Sequence, residues 1–161
     1  MLDEARAAGL RVDPTRIPKA FASARWPGRL QWLAPARAGA PPLLLDGAHN
    51  PAGARALAAY LAGHRPFVLV FGVMGDKKGG TMARALFPLA RAVVLTKAPG
   101  DRAAPPQAIK RAAGRVARGA RLEPSIPRAL RLAARLAPPG APVVVAGSLY
   151  LVGDVLRRRA G

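Results

Sequence analysis

The chain of 161 residues has no cysteine, and only 5% of its residues are aromatic. Without cysteine it can form neither a disulfide framework nor a thiolate metal site, and a reducing compartment suits it. The longest apolar runs, at residues 67–73 and 143–147, are far shorter than the roughly 20 residues that a membrane-spanning helix needs. The first residues include acids instead of the basic stretch and apolar core of a signal peptide. We therefore expect a soluble, cytoplasmic protein with no membrane partner.

Acidic residues are scarce, because 8 Asp and Glu stand against 26 Lys and Arg, which gives a formal net charge of +18. Such an excess is typical of proteins that neutralise phosphates, so a basic nucleic-acid-binding module is one interpretation. The arginines are spread through helical stretches, however, and Arg128, Arg131 and Arg135 recur at the spacing of a solvated helix face. RNA-binding proteins also stack bases on aromatic side chains, which are few here. We expect no specific nucleic-acid partner.

Apolar runs alternate with stretches rich in Ala and Leu, and this alternation predicts an α/β fold with a mainly parallel sheet. The length favours one compact domain, and 17 Pro and 17 Gly predict short elements. The predicted strands are 30–33, 43–46, 67–71, 92–96, 120–123 and 142–146. The predicted helices are 51–62, 81–86, 105–117, 126–136 and 149–158.

Three of the few acids, Asp46, Asp76 and Asp101, fall at or just after the ends of predicted strands. In a parallel sheet, ligands bind beyond the carboxyl ends of the strands, where loops present amide groups and helix amino termini. These acids are therefore candidates for a functional site.

The first strand-to-helix loop reads LDGAHNP at residues 45–51. Asp46 can accept hydrogen bonds from hydroxyls such as those of a ribose, and His49 can donate to an anionic oxygen or carry a proton. The alternative is that Asp46 only caps the turn and that His49 is a satisfied polar group. Asn50 and Pro51 have the pattern of a helix cap and first turn. His64 is interpreted as a surface residue, and no residue spacing suggests a zinc site.

Two further loops carry weaker signals. Residues 71–80 read FGVMGDKKGG, in which Lys77 could neutralise a phosphate, but the spacing does not match a Walker phosphate-binding loop. Residues 145–150 read VAGSLY, in which Ser148 either caps the last helix or presents its hydroxyl at the same edge.

Four motifs together resemble one family in order and spacing: WPGRL at 26–30, LDGAHNPAG at 45–53, FGVMGDK at 71–77 and GSLY at 147–150. This is the folylpolyglutamate synthase and dihydrofolate synthase family, within the Mur ligase group of ATP-dependent amide-forming enzymes. The resemblance implies a Rossmann-like, three-layer carboxy-terminal domain over residues 25–161, with about six strands. Residues 1–24 resemble the last part of a preceding ATPase domain or an interdomain segment.

The resemblance also implies an activity for the parent protein. ATP would phosphorylate a reduced folate or dihydropteroate, and L-glutamate would then form an amide with it through the acyl phosphate. The family's Walker loop and Mg²⁺ ligands belong to the amino-terminal ATPase domain, which would be the partner of this chain. We therefore expect no metal ligand here and no activity from this chain alone.

Residue roles follow from the resemblance motif by motif. Arg29 looks like the arginine that contacts the ATP phosphates, and Asp46 like the aspartate that holds the nucleotide from the same side. His49 is similar to a catalytic residue beside the incoming glutamate, and Asp46 is also placed among the catalytic residues. Ser148 lies near glutamate and the phosphorylated folate by the same comparison.

Asn50 and Lys77 are carried over as further glutamate- or substrate-binding residues. The chain departs from the family at Lys78, where a second acid is common. A different Mur-type ligase, acting on a cell-wall precursor, is the other enzymatic interpretation. Those relatives typically carry an Asn-Pro-Arg sequence where this chain has HNPA at residues 49–52, so the folate ligase interpretation is favoured.

The scattered arginines generate a prediction about nucleic acids. We expect any binding of RNA or DNA by this chain to be weak, non-specific and strongly salt-dependent, because it would depend on counterion release alone. Fluorescence anisotropy with labelled oligonucleotides at about 50 and 200 mM salt would measure it. Sequence-selective binding that persists at the higher salt concentration would contradict this view.

Overall fold

The computed structural model describes residues 4, 7–9, 11, 13–19, 26–64, 66–75 and 78–160. In this part of the chain, strands and helices alternate after residue 42. The strands are β1 (Gln31–Leu33), β2 (Leu43–Asp46), β3 (Val68–Phe71), β4 (Ala92–Leu95), β5 (Arg121–Leu122) and β6 (Val143–Ala146). The helices are α1 (Pro51–Ala62), α2 (Gly79–Leu86), α3 (Pro106–Ala113), α4 (Ile126–Leu136) and α5 (Leu149–Ala160).

The strands form one six-stranded sheet in the order β1-β2-β6-β3-β4-β5. Strand β1 is antiparallel to β2, and all other neighbours are parallel. Every residue of β3 and β6 is buried, which explains why these strands are continuous apolar runs: helices cover both faces of the sheet. The predicted α/β class with a mainly parallel sheet is confirmed.

Helices α1, α2 and α3 cover one face of the sheet, and α4 and α5 cover the other. The alternation of side chains along β3 shows this division, because Leu69 and Phe71 pack into the first core while Val68 and Val70 pack into the second. The result is the predicted three-layer arrangement. Arg128, Arg131 and Arg135 are exposed on α4, as expected of its solvated face.

Most predicted boundaries agree with the structure, and α3 shows the largest difference. A helix was expected over 105–117, but the α-helix ends at Ala113 and a 3-10 turn follows over Gly114–Ala117. Gly114 has a φ of +63° and a ψ of −133°, a backbone conformation that is open to glycine and incompatible with an α-helix. Helix α2 begins earlier than expected, at Gly79, and α5 extends to Ala160.

The division of the chain at residue 24 stays a prediction. In the first 24 residues, the structure describes 4, 7–9, 11 and 13–19. Pro14–Arg16 form a 3-10 turn that is capped by the Asp13 carboxylate, and hydrogen bonds from the Thr15 hydroxyl and amide lower the pKa of Asp13. None of the helices described is both long and apolar enough to cross a membrane.

Close packing of α2 against α3 generates a stability prediction. A Cβ atom on Gly80 would overlap the carbonyl oxygen of Ala112 and lie 3.0 Å from its carbonyl carbon. We expect Gly80→Ala to lower the free energy of unfolding by about 2 kcal/mol, despite the higher helix propensity of Ala. Urea denaturation would measure the change.

Gly119→Ala is the matched control, because its Cβ would meet nothing within 4 Å. We expect this variant to stay within about 0.5 kcal/mol of the parent. Equal stability of the two variants would show that the packing of α2 on α3 tolerates the added methyl group.

Candidate functional site

The first, second and third loops meet at one edge of the sheet because β2, β6 and β3 are neighbours. Asp46, Ala146 and Phe71 are in register at the carboxyl ends of these strands. Backbone hydrogen bonds join the loops that follow: the Gly147 amide donates to Ala48 O at 3.0 Å, and the Gly72 amide donates to Ala146 O at 3.3 Å. We call the surface formed by residues 26–30, 46–50, 72–75 and 147–150 the carboxyl edge.

Gly147 allows these loops to come so close. Its φ is +111°, and a Cβ atom there would lie 2.6 Å from Gly72 O and 2.9 Å from the Phe71 ring. No residue with a side chain fits this position without moving the backbone of the loop after β3. Close packing of the loops at the carboxyl edge therefore requires glycine at this position of the GSLY motif.

Residues 26–29 form a tight turn that precedes β1. The Arg29 amide donates to Trp26 O at 3.1 Å, Pro27 occupies the second position, and Gly28 at the third has a φ of +74°. This combination is typical of a type II turn. Two contacts fix the turn to its surroundings: the Gly28 amide donates to Gln31 Oε1 at 2.7 Å, and Gly28 O accepts from the Gly47 amide at 2.6 Å.

Asp46 joins this turn to the end of β2. Its carboxylate is 7% exposed; Oδ1 accepts from the Ala48 amide at 2.9 Å, and Oδ2 accepts from the Leu30 amide at 3.0 Å. Leu30 has a φ of +43°, the one positive value among the described residues that are not glycine. The turn-capping role considered from the sequence is thus present in the structure. Each carboxylate oxygen retains a further lone pair that can accept a hydrogen bond from a ligand.

Arg29 and His49 are exposed at the carboxyl edge. Within the described part of the chain, the Arg29 guanidinium has no hydrogen-bond or ion-pair partner. His49 Nδ1 lies 2.8 Å from Gly47 O. Because a carbonyl oxygen can only accept, Nδ1 carries the proton in this contact, and Nε2 is the acceptor of the neutral ring. The Arg29 guanidinium is therefore available to an anionic ligand, and the neutral His49 ring presents Nε2 as a hydrogen-bond acceptor at the same edge.

Asn50 and Ser148 each cap a helix at the same edge. Asn50 Oδ1 accepts from the Gly53 amide at 2.8 Å, so the predicted cap of α1 is confirmed. Ser148 is 1% exposed, and its Oγ accepts from the Tyr150 amide at 3.2 Å in the first turn of α5. The Ser148 hydroxyl retains its proton as a donor. Capping is thus what the structure shows for both side chains, and their ligand roles stay predictions.

Other residues singled out from the sequence are placed elsewhere. Lys77 and Asp76 lie outside the described residues. His64 is exposed as predicted, and its ring stacks on Tyr60 with a centroid distance of 4.2 Å. Asp101 follows β4 and lines a different cavity of 420 Å³.

An ion pair between Asp154 and Arg158 lines that cavity. Asp154 accepts from Arg158 Nε at 2.5 Å, and this hydrogen bond raises the pKa of Arg158. Across the described residues, no group of three or more His, Cys, Asp or Glu side chains could hold a metal ion.

Sequence reasoning missed Gln31 and Leu30 as parts of the site. Gln31 was predicted only as a strand residue, yet its side-chain amide holds the turn that carries Arg29. The available signal was the short distance in sequence between a glutamine and a Pro-Gly turn, because a side chain three residues away can reach a turn amide.

Comparison with known proteins identifies the family of the chain. Residues 28–149 match the family described as Mur ligase, glutamate ligase domain. The chain belongs to this family, and the match spans all six strands, from Gly28 in the turn before β1 to Leu149 at the start of α5.

Curated relatives point to folate ligases within it. The folylpolyglutamate synthase of Lacticaseibacillus casei is 32% identical over 152 residues, which cover 93% of this chain and 33% of that protein. The dihydrofolate synthase/folylpolyglutamate synthase of Mycobacterium tuberculosis is 38% identical over 107 residues, which cover 65% of this chain and 21% of the relative. The chain thus spans about a third or less of the length of these relatives.

Solved structures show the same fold. Mycobacterium tuberculosis folylpolyglutamate synthase, complexed with ADP and AMPPCP, aligns with a TM-score of 0.82 and 30% identity over 98% of this chain and 37% of its own. Escherichia coli FolC in complex with ADP aligns with a TM-score of 0.79 and 27% identity over 99% of this chain and 39% of its own. The family and the Rossmann-like fold expected from the four motifs are confirmed.

The cap at Asn50 generates a prediction about the structural role of this residue. We expect Asn50→Ala to lower the free energy of unfolding by about 1 kcal/mol, because the Gly53 amide loses its acceptor. Asn50→Ser should recover most of this loss, since serine also caps helices. Urea denaturation of the three proteins would test this, and an Ala variant as stable as the parent would contradict it.

Proposed function

We propose that this chain is the glutamate- and nucleotide-binding carboxy-terminal domain of an ATP-dependent folylpolyglutamate synthase. The parent enzyme would be an amide-bond-forming ligase that joins L-glutamate to a reduced folate, and in a bifunctional enzyme also to dihydropteroate. The observation that carries the proposal is the presentation of Arg29 and His49 at one edge, on a turn and a loop joined by the Asp46 carboxylate. Family membership supports it.

Ligands of related structures support the substrate classes. The structure of FolC from Escherichia coli contains DHPP and ADP. A bifunctional folylpolyglutamate synthase/dihydrofolate synthase contains Mn, AMPPNP and L-glutamate. These enzymes are 26% identical to this chain over nearly its whole length. ATP, L-glutamate and a folate or dihydropteroate are accordingly the proposed ligands of the parent enzyme.

The proposed reaction has two steps. The γ-phosphoryl group of ATP moves to the folate carboxylate, which gives an acyl phosphate and ADP. The glutamate amine then attacks the acyl carbon, loses a proton, and forms the amide as phosphate leaves. Negative charge builds up on oxygen in both steps, so positioned cations and hydrogen-bond donors lower the barriers.

Residues of this chain have matching chemistry. The planar guanidinium of Arg29 suits two phosphate oxygens, and Asp46 retains lone pairs for a nucleotide hydroxyl. His49 can donate to the glutamate carboxylate when charged, or accept a proton at Nε2 when neutral. The Ser148 hydroxyl can donate to a substrate oxygen, with Asn50 and Lys77 as further substrate-binding candidates.

The proposal assigns the remaining machinery to an ATPase domain that would precede this chain. Mg²⁺ would reach the site with ATP, where it neutralises phosphate charge, and its ligands would come from that domain and the phosphates. The sequence has no Walker pattern, so we expect the chain alone to be inactive. The cytoplasm is the proposed location.

Kinetics of a ligase that contains this chain and an ATPase domain would test the roles. We expect Arg29→Ala to raise the KM for ATP about tenfold or more, because a charge-assisted hydrogen bond to phosphate is lost. The KM for glutamate should change little. His49→Ala should chiefly impair the glutamate-dependent step.

His64→Ala is the control for histidine loss, because His64 lies on the surface against Tyr60 and outside the carboxyl edge. It should leave both KM values unchanged. A normal glutamate dependence in the His49 variant would remove His49 from the proposed glutamate site.

A further inference from the structure

Arg29 lies between two residues whose backbones are in the left-handed region, Gly28 with a φ of +74° and Leu30 with a φ of +43°. Leu30 has a side chain, for which this region is disfavoured, so other contacts must hold the backbone there. The direction in which the Arg29 side chain leaves the chain therefore depends on those contacts.

Hydrogen bonds fix the peptide groups on both sides of Arg29. Before it, the Gly28 amide donates to Gln31 Oε1 at 2.7 Å, and Gly28 O accepts from the Gly47 amide at 2.6 Å. After it, the Leu30 amide donates to Asp46 Oδ2 at 3.0 Å. Two side chains, Gln31 and Asp46, thus supply the acceptors that keep the turn in its observed form.

The Gln31 contact has a particular consequence for the type of turn. The Gly28 amide belongs to the central peptide of the turn, and types I and II differ by a flip of that peptide. An acceptor on the Gly28 N–H side therefore favours the type II form, in which Gly28 keeps its positive φ. Without it, the central peptide can turn over, and the Arg29 backbone keeps only the contacts that Gly47 and Asp46 provide.

We propose that Gln31 is a positioning residue for nucleotide binding: its side-chain oxygen holds the Pro27–Gly28 peptide, and the turn then presents Arg29 to the phosphates. This proposal rests on the nucleotide-binding role proposed for Arg29. Gln31 does not touch the ligand, and its effect passes through the turn. The exposed, unpaired guanidinium is consistent with this role, because no other contact in the described part of the chain orients it.

A double-mutant cycle in the ligase that contains this chain would test the proposal. Gln31→Leu removes the acceptor at similar size, and Gln31→Glu keeps one. We expect Gln31→Leu to raise the KM for ATP about fivefold, in keeping with the loss of one ordinary hydrogen bond. The kcat and the KM for glutamate should stay near the parent values, whereas the melting temperature should fall by a few degrees because the Gly28 amide loses its acceptor. Gln31→Glu should restore both the KM for ATP and the melting temperature.

In the Arg29→Ala background, Gln31→Leu should have no further effect, because there is no guanidinium left to position. Effects that add in the double variant, or an unchanged KM for ATP in Gln31→Leu beside a raised one in Arg29→Ala, would overturn the proposal. An unchanged KM in Arg29→Ala would instead overturn the nucleotide role of Arg29. If Gln31→Leu does not fold, Gly28→Ala is the second variant, and the same double-mutant cycle applies to it. This substitution disturbs the same turn, because the added Cβ would lie 2.7 Å from Val152 Cγ1 and Gly28 has a φ of +74°.

Discussion

One buried carboxylate connects the parts of the carboxyl edge. Asp46 ends β2 and accepts hydrogen bonds both from the loop that follows it and from Leu30, which precedes β1. This is possible because β1 is antiparallel to β2, with Gln31 opposite Leu45, so the residues before β1 arrive at the carboxyl end of β2. A parallel strand in the same place would present its preceding residues at the opposite edge. The orientation of one short edge strand therefore decides whether Arg29 can belong to the site.

The net charge of +18 suits the anionic ligands that are proposed for the parent enzyme. ATP, glutamate and folates, the ligands proposed for the parent enzyme, are all anions, and a strongly positive chain raises the local concentration of anions around it. Steering of this kind needs no ordered basic patch, in agreement with arginines that are scattered along the chain and exposed wherever the structure describes them. Selectivity must then come from the few fixed groups at the carboxyl edge, where geometry can distinguish one anion from another.

Local patterns in the sequence were sufficient for most of the fold. Strand β2 and helices α1 and α4 begin and end at the predicted residues, because apolar runs, proline at the first turn and capping residues act over short distances. The predicted α3 was too long because a glycine in a helical pattern does not reveal the sign of its φ. Asn50 could be predicted as a cap for the same local reason.

The interactions around Arg29 could not be predicted in this way. The positive φ of Leu30 has no sequence signal, since leucine rarely adopts it, and the Asp46 carboxylate that holds it lies 16 positions along the chain. The contact from Gln31 depends on which turn type residues 26–29 adopt. Tertiary contacts, rather than residue preferences, determine both features.

The backbone hydrogen bonds between the loops affect the entropy cost of binding a ligand. Because Gly147, Ala48, Ala146 and Gly72 are linked from loop to loop, the main chain of this edge is already in one arrangement before anything binds. Binding at the proposed site would then restrict chiefly the rotamers of exposed side chains such as Arg29 and His49, and the entropy of the loops would change little. In thermodynamic terms, the edge is preorganised, so the free energy of its contacts with a ligand is not offset by loop ordering.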